Sequence, residues 1–379
     1  MSCDLFIFAG EKSGDLHGEK LLEALFAKAP SLRVAGVGGP LMRTQPMNCL
    51  LPTEEFQVMG FIDVFFSLPK LRRHFYFLAK SILKLQPKVV VTIDYPGFNL
   101  RLIHYLRKKG FKGKLVHFIC PSVWAHGKQR IPLMTNHLDL LLCILPFETQ
   151  IFKDTPLQTR FVGHPLSERL DTHVYKPLPF TTRKPILSLF PGSRRKEIER
   201  NLPLMLKACL IKQTEEDRFQ IALSLSEERF RPLVEELIKD SGFSQDQIQI
   251  VPSSLSYELM KASEASIAKS GTVTLELAFH RIPTIVVYAV SFLDRLIAYY
   301  LLRIRLPFYC LVNIIAGREV FPELIGPHFT LSRLLKEMSR ISDANYRETV
   351  QEQCNSLIQT LSSKRTAQEA ATAILHLFS

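Results

Sequence analysis

Short apolar runs alternate with amphipathic helical segments along most of this chain, and that alternation confines it to α/β architectures. Leu5 to Ala9, Arg33 to Val37, Lys88 to Ile93, Lys114 to Ile119, Leu138 to Leu145 and Arg160 to Val162 read as strands. Between them, Leu16 to Lys28 and Asn99 to Lys109 carry helical periodicity. Strands that are apolar on both faces require cover on both faces, which a parallel sheet with crossover helices supplies. The pattern stops at Lys176 to Pro185, where Pro177, Pro179 and Pro185 mark a linker. It restarts with Ile186 to Phe190, Phe219 to Leu225, Gln247 to Val251, Ala265 to Ala268 and Thr284 to Tyr288. The chain is therefore expected to form two Rossmann-like domains, over 1–175 and 186–345, joined by a linker at 176–185. Helices over 346–379 are expected to pack back on the first domain. A length of 379 residues suits two cores better than one. Ligands of such sheets bind at strand carboxyl ends and between domains.

Charge narrows the partners. Residues 1–165 hold 21 Lys and Arg against 12 Asp and Glu, and the rest of the chain holds 27 against 24. A basic first half attracts polyanions, so nucleic acid and anionic membrane are both candidates on charge alone. Seven cysteines without a C-x-x-C pair point to reduced thiols filling a core. No secretory signal opens the sequence. The most apolar long stretch, Val286 to Ile315, is interrupted by Asp294, Arg295, Arg303 and Arg305, so no membrane span is expected.

Several turns after strands carry chemistry-bearing residues. Gly10-Glu11-Lys12-Ser13-Gly14-Asp15 follows the first strand, where Ser13 or Asp15 would cap a helix starting at Leu16. It matches neither a P-loop nor G-x-G-x-x-G, and a plain tight turn is the competing reading. Asp94 ends a strongly apolar strand, where a carboxylate can deprotonate an attacking hydroxyl or merely form a turn. Pro121-Ser122-Val123-Trp124-Ala125-His126 places the one tryptophan in a strand-end loop, either lining a pocket or packing.

Pro191-Gly192-Ser193-Arg194 opens a helix with exposed amides, the positive end of the helix dipole and a guanidinium, three features that favour phosphate. Ser270-Gly271-Thr272 repeats the strand–turn–helix arrangement, and Glu276 lies further along that helix, placed to accept ribose hydroxyls. Two such turns in one domain suggest a nucleotide diphosphate. Asn313 and Arg318 lie in an apolar stretch and need hydrogen-bond partners, structural ones being the simplest. Finally, Phe61 to Leu85 mixes five phenylalanines with Lys70, Arg72, Arg73, Lys80 and Lys84. After Pro69 it reads as a basic amphipathic helix suited to a membrane surface, a core-packed helix with a solvated face being the alternative.

Taken in order, A-G-E-K-S-G-D at Ala9, V-M-G-F at Val58, I-D-Y-P-G-F-N at Ile93, P-S-V-W-A at Pro121, L-P-F-E at Leu145, F-V-G-H-P at Phe161, P-G-S-R at Pro191, S-G-T-x-x-L-E at Ser270 and N-x-x-A-G-R-E at Asn313 resemble the lipid-A-disaccharide synthase family almost end to end. The resemblance implies a GT-B glycosyltransferase with two Rossmann-like domains facing a cleft. It implies inverting transfer from UDP-2,3-diacylglucosamine to 2,3-diacylglucosamine 1-phosphate, giving a β-1,6-linked disaccharide and UDP, without a metal or other cofactor. It places the protein peripherally on the inner face of the inner membrane, with the anionic surface and the two lipid substrates as partners, no nucleic acid, and a homodimer left open. By the same resemblance Asp94 is the base, and Ser193, Arg194, Ser270, Gly271 and Thr272 hold the diphosphate. Glu276 holds the ribose, Asn313 contacts the nucleotide, and Ser13, Gly14, Asp15, Trp124 and His126 line the acceptor side. Two departures stand out. Gly97 replaces a second Asp of the pattern, which concentrates the base role on Asp94. His126-Gly127 replaces an aromatic–Arg pair, which makes His126 an alternative base. Rival readings are another UDP-sugar enzyme of this architecture, such as a UDP-N-acetylglucosamine 2-epimerase, and a basic non-enzymatic membrane- or nucleic-acid-binding protein.

Overall fold

The computed structural model describes residues 3–56, 61–125, 127–244, 247–290 and 306–378, with backbone alone over 61–67. Two compact units emerge. One comprises residues 1–168 with 361–379, the other residues 169–360. The linker at 176–185 thus belongs to the second unit. The C-terminal helices divide between the two units: Ala344–Leu361 lies almost wholly in the second, and Thr366–Leu375 in the first.

In the first unit the described strands are β1 (Leu5–Ala9), β2 (Val34–Gly38), β3 (Met47–Pro52), β4 (Val89–Ile93), β5 (Lys114–Phe118), β6 (Leu140–Cys143) and β7 (Gln158–Phe161). They form one parallel sheet in the order β3-β2-β1-β4-β5-β6-β7. β1 and β4 are buried throughout, as their uninterrupted apolar sequences require. β3 escapes a reading by pattern because it is an edge strand, half-buried over most of its length. The Thr366–Leu375 helix returns to this unit and packs Ala370, Ala371, Ala373 and Ile374 against Leu21, Leu22 and Leu25 of the Lys12–Lys28 helix. Arg160 of β7 pairs with Glu369 at 2.8 Å and fixes that return.

The second unit contains β8 (Ile186–Phe190), β9 (Gln220–Leu225), β10 (Ile248–Pro252), β11 (Ser263–Lys269), β12 (Thr284–Tyr288) and β13 (Glu323–Ile325). Its sheet is also parallel, in the order β10-β9-β8-β11-β12-β13. β13 is only three residues long, too short for any periodicity to betray it. Among the described residues no helix is long and apolar enough to cross a membrane. Part of the apolar stretch Val286 to Ile315, residues 291–305, lies outside the described residues. All seven cysteines are free and all but Cys49 are buried, in keeping with a core-filling role.

Candidate functional site

Each sheet has one place where the strand order reverses and the crossovers diverge, which is where doubly wound sheets open a crevice. In the first unit that place lies between β1 and β4, in the second between β8 and β11. Four of the turns carrying chemistry-bearing residues follow these strands, and the turn with Trp124 follows β5.

In the first unit, Asp94 and Tyr95 both adopt φ +46° immediately after β4. Two successive non-glycine residues in the left-handed region cost on the order of 1–2 kcal/mol each, and such strain concentrates at functional positions. It lets the Pro96–Lys108 helix begin three residues after the strand ends. The turn is held from beneath. The Asp94 N–H donates to the Phe118 carbonyl at 2.9 Å, and buried Asn99 donates through Nδ2 to the carbonyls of Ile93 at 3.2 Å and Asp94 at 2.6 Å. Burial raises the Asp94 carboxyl above the usual carboxylate range, only partly offset by the Tyr95 backbone N–H.

The turn after β1 lies against it: a Cβ added at Gly10 would sit 2.7 Å from Cδ1 of Tyr95. Glu11 on that turn is also raised, by loss of solvation first and by the charge of Asp94 second. The neighbouring turn thus brings a second carboxyl group near enough for the charge of Asp94 to act on it. Gly97 is not there for want of room, since a Cβ added there meets nothing within 4 Å.

The helix after β1 begins at Lys12, not Leu16, with Glu11 at its N-cap and no side-chain cap. This corrects the capping role expected of Ser13 or Asp15. Ser13 is exposed on the first turn, and Gly14 packs against Ala9. Asp15 is buried and turned to the β2 side, where Oδ1 accepts the N–H groups of Gly39 at 2.8 Å and Met42 at 3.0 Å, and Oδ2 accepts that of Leu41 at 3.1 Å. Trp124 stacks edge-on against Phe147 at 5.5 Å. Nearby, Glu148 accepts the Leu145 N–H at 3.1 Å, and burial pushes its carboxyl up to about 8. Ligand-type atoms of Cys120, Cys143 and Glu148 lie within 4.8 Å of one another in this buried corner. His126 lies outside the described residues.

In the second unit, Pro191 to Arg194 follows β8 and leads into the Arg195–Glu215 helix. Gly192 takes φ +133°, a conformation that side-chain-bearing residues rarely adopt. Buried Asn201 pins the turn: its Nδ2 donates to the Pro191 carbonyl at 2.9 Å, and its Oδ1 accepts the Ala289 N–H at 2.7 Å. The Arg194 side chain is 84% exposed. Ser270 to Thr272 follows β11, heads the Thr272–Phe279 helix, and is exposed at Gly271 and Thr272. Ser270 is tethered through its N–H to the Val287 carbonyl at 3.0 Å and through Oγ to the Tyr309 carbonyl at 3.3 Å. Strands β8 and β11 are hydrogen-bonded neighbours, so the two turns stand side by side at the carboxyl ends of the strands.

Glu276 accepts from Arg169 Nη2 at 2.7 Å and the Tyr257 hydroxyl at 3.0 Å, and burial is the main cause of its raised carboxyl pKa. Asn313 is fully buried and saturated. Its Nδ2 donates to the Phe321 carbonyl and Glu323 Oε1, and its Oδ1 accepts the N–H groups of Val320 and Phe321. In this state it braces a loop, and its amide has no capacity left for a nucleotide. Pattern reading passed over Glu197 and Lys269, which lie just outside the P-G-S-R and S-G-T-x-x-L-E motifs. Lys269 Nζ sits 3.2 Å from Glu197 Oε1, and Glu197 Oε2 accepts the Ser193 N–H at 3.0 Å. Only the pairing of β8 with β11 brings these two side chains together.

A family model for lipid-A-disaccharide synthetase matches residues 5–375. The chain belongs to the lipid-A-disaccharide synthetase family. A lipid-A-disaccharide synthase of Chlamydia pneumoniae is 38% identical over 370 residues, covering 96% of this chain and 61% of the relative. That of Chlamydia trachomatis serovar D is 38% identical over 379 residues, covering 98% and 62%. The chain thus spans about three fifths of the length of these curated relatives, whereas it covers 81% of a Gluconobacter oxydans synthase that is 34% identical over 348 residues. Among solved structures, the glycotransferase of kitacinnamycin aligns with TM-score 0.61 at 12% identity, over 98% of each chain. The calicheamicin glycosyltransferase aligns with TM-score 0.59 at 12% identity, over 100% and 99%. The UDP-GlcNAc 2-epimerase of Neisseria meningitidis, solved with UDP-GlcNAc, aligns with TM-score 0.54 at 11% identity, over 96% and 100%. At these identities the structural likeness establishes the fold, two parallel-sheet α/β domains of the GT-B type.

Proposed function

We propose that this member of the family transfers 2,3-diacylglucosamine from its UDP derivative to 2,3-diacylglucosamine 1-phosphate, with inversion, forming the β-1,6-linked disaccharide and UDP. The observation that carries the proposal is the pair of turns after β8 and β11, each opening a helix at the switch point of the second sheet. Outward-facing amides, Ser193, Ser270, Thr272 and the exposed Arg194 suit a diphosphate, and Glu276 suits the ribose. In the first unit Asp94 acts as general base. Its raised pKa makes the carboxylate a stronger acceptor for the acceptor sugar's 6-hydroxyl proton as that oxygen attacks the anomeric carbon. Charge developing on the leaving diphosphate is met by Arg194 and the helix N-termini, so the scheme calls on no metal. Ser13 and Trp124 are assigned to the acceptor side, and Asp15 to shaping it.

The Phe61–Leu85 helix supports a membrane-surface location on the inner face of the inner membrane. It buries Leu78, Ala79 and Ile82 while exposing Leu68, Tyr76 and Phe77 among Arg72, Arg73 and Lys80. The test is release of UDP from the diacylated donor, with and without the monosaccharide phosphate acceptor, in EDTA. Acceptor-dependent release is expected. Equal turnover of water-soluble UDP-N-acetylglucosamine would overturn the lipid-specific reading in favour of an epimerase-like activity.

A further inference from the structure

We propose that Lys269 is a further phosphate-binding residue of the nucleotide site and that Glu197 is a built-in occupant of the diphosphate's place, which the nucleotide displaces. The inference rests on the nucleotide reading above and deepens it. Glu197 lies in the first turn of the Arg195–Glu215 helix, and its side chain is only 11% exposed. Instead of reaching into solvent it folds back over the Pro191–Arg194 turn. Its Oε2 would lie 2.7 Å from a Cβ placed on Gly192. There it accepts the Ser193 N–H at 3.0 Å, pairs with Lys269 Nζ at 3.2 Å, and stands 3.9 Å from Arg194 Nη1. An amide, an ammonium and a guanidinium thus converge on one carboxylate. These are the donor types that a phosphate takes from a turn of this kind.

Lys269 is suited to the second role by its position. It is the last residue of β11, directly before Ser270, and its side chain is 20% exposed. Its ammonium lies 4.8 Å from the centroid of the Tyr288 ring and 3.8 Å from where a Cβ on Gly271 would sit. It therefore stands between the two turns that the diphosphate must bridge. A half-buried ammonium without a counter-charge is costly, and Glu197 supplies that charge when no nucleotide is bound. A diphosphate carries more charge than a carboxylate and reaches both turns at once. It takes over Lys269 and the Ser193 amide, and like-charge repulsion turns Glu197 out.

The experiment is calorimetric titration of UDP, uridine and inorganic pyrophosphate into wild type, Lys269→Met, Glu197→Gln and the double variant. Glutamine keeps an acceptor for the Ser193 amide but removes the competing charge. Lys269→Met is expected to weaken UDP and pyrophosphate about tenfold. Glu197→Gln is expected to tighten both about three- to tenfold, and that gain should shrink when Lys269 is also replaced. Uridine affinity should stay level throughout, which shows that each variant has folded its nucleoside site. UDP affinity unchanged in Lys269→Met, or weakened in Glu197→Gln with uridine unaffected, would overturn the inference: Glu197 would then be a brace for the turn. A wild-type protein that binds no UDP would instead defeat the nucleotide reading itself.

Discussion

Replacing Asp15 with alanine separates a structural role from a ligand-contacting one. Its two carboxylate oxygens satisfy three backbone donors across the first unit, those of Gly39, Leu41 and Met42. The bonds from Gly39 and Met42 are buried, and the one from Leu41 is part-buried. Stranding a buried donor costs about 1–3 kcal/mol, and a part-buried one nearer the lower end. Asp15→Ala should therefore destabilise the first unit by about 3–7 kcal/mol, a large share of the 5–15 kcal/mol typical of a domain. Asp15→Asn keeps one acceptor oxygen and should cost about 1–3 kcal/mol. Urea unfolding followed by tryptophan fluorescence measures this selectively. The chain has one tryptophan, Trp124, and it lies in the first unit against Phe147. A loss below about 1 kcal/mol for Asp15→Ala, with an unchanged m-value, would refute the bracing argument. If turnover also collapsed, Asp15 would be returned to the acceptor site as a contact residue.

Four further outcomes are expected. Asp94→Asn should lower turnover by about 10²–10⁴-fold while UDP affinity stays unchanged, and full activity would exclude it as the base. In wild type the acid limb of the rate profile should lie above the ordinary aspartate range, because burial raises the Asp94 carboxyl. Arg194→Ala should weaken UDP by about tenfold with little change in thermal stability, since its side chain is 84% exposed, and unchanged UDP affinity would remove it from the site. Glu148, pushed up to about 8 by burial, binds its proton more tightly folded than unfolded. Its contribution to stability is fully present below about pH 4.5 and is lost as pH rises through about 8. The fluorescence-detected melting temperature of Glu148→Gln should be flatter than that of wild type between these limits, and parallel curves would refute the assignment.

The strands at the centre of both sheets were legible because burial on both faces demands uninterrupted apolar runs, as in Leu5 to Ala9 and Ile186 to Phe190. The edge strands β3 and β13 were not, since an edge needs neither length nor full burial. Turn placement was legible for the same local reason. Gly192, Ser193 and Arg194 lead from β8 into a helix, and Asp94 directly follows the buried strand β4, as their local sequences indicate. Helix starts were less legible: Asp15 looked like a cap, although its partners are 24 to 27 residues away.

What the sequence by itself determined is therefore the class of each element, two parallel α/β domains, and the local donors each turn can offer. These follow from apolar periodicity and from backbone constraints acting over a few residues. What only the tertiary structure decided is which charges meet. Glu11 joins Asp94 because β1 and β4 are neighbours across the first switch point, and Glu197 meets Lys269 because β8 and β11 are neighbours across the second. Strand order is set by packing a whole sheet, and no stretch of sequence around either carboxylate encodes it.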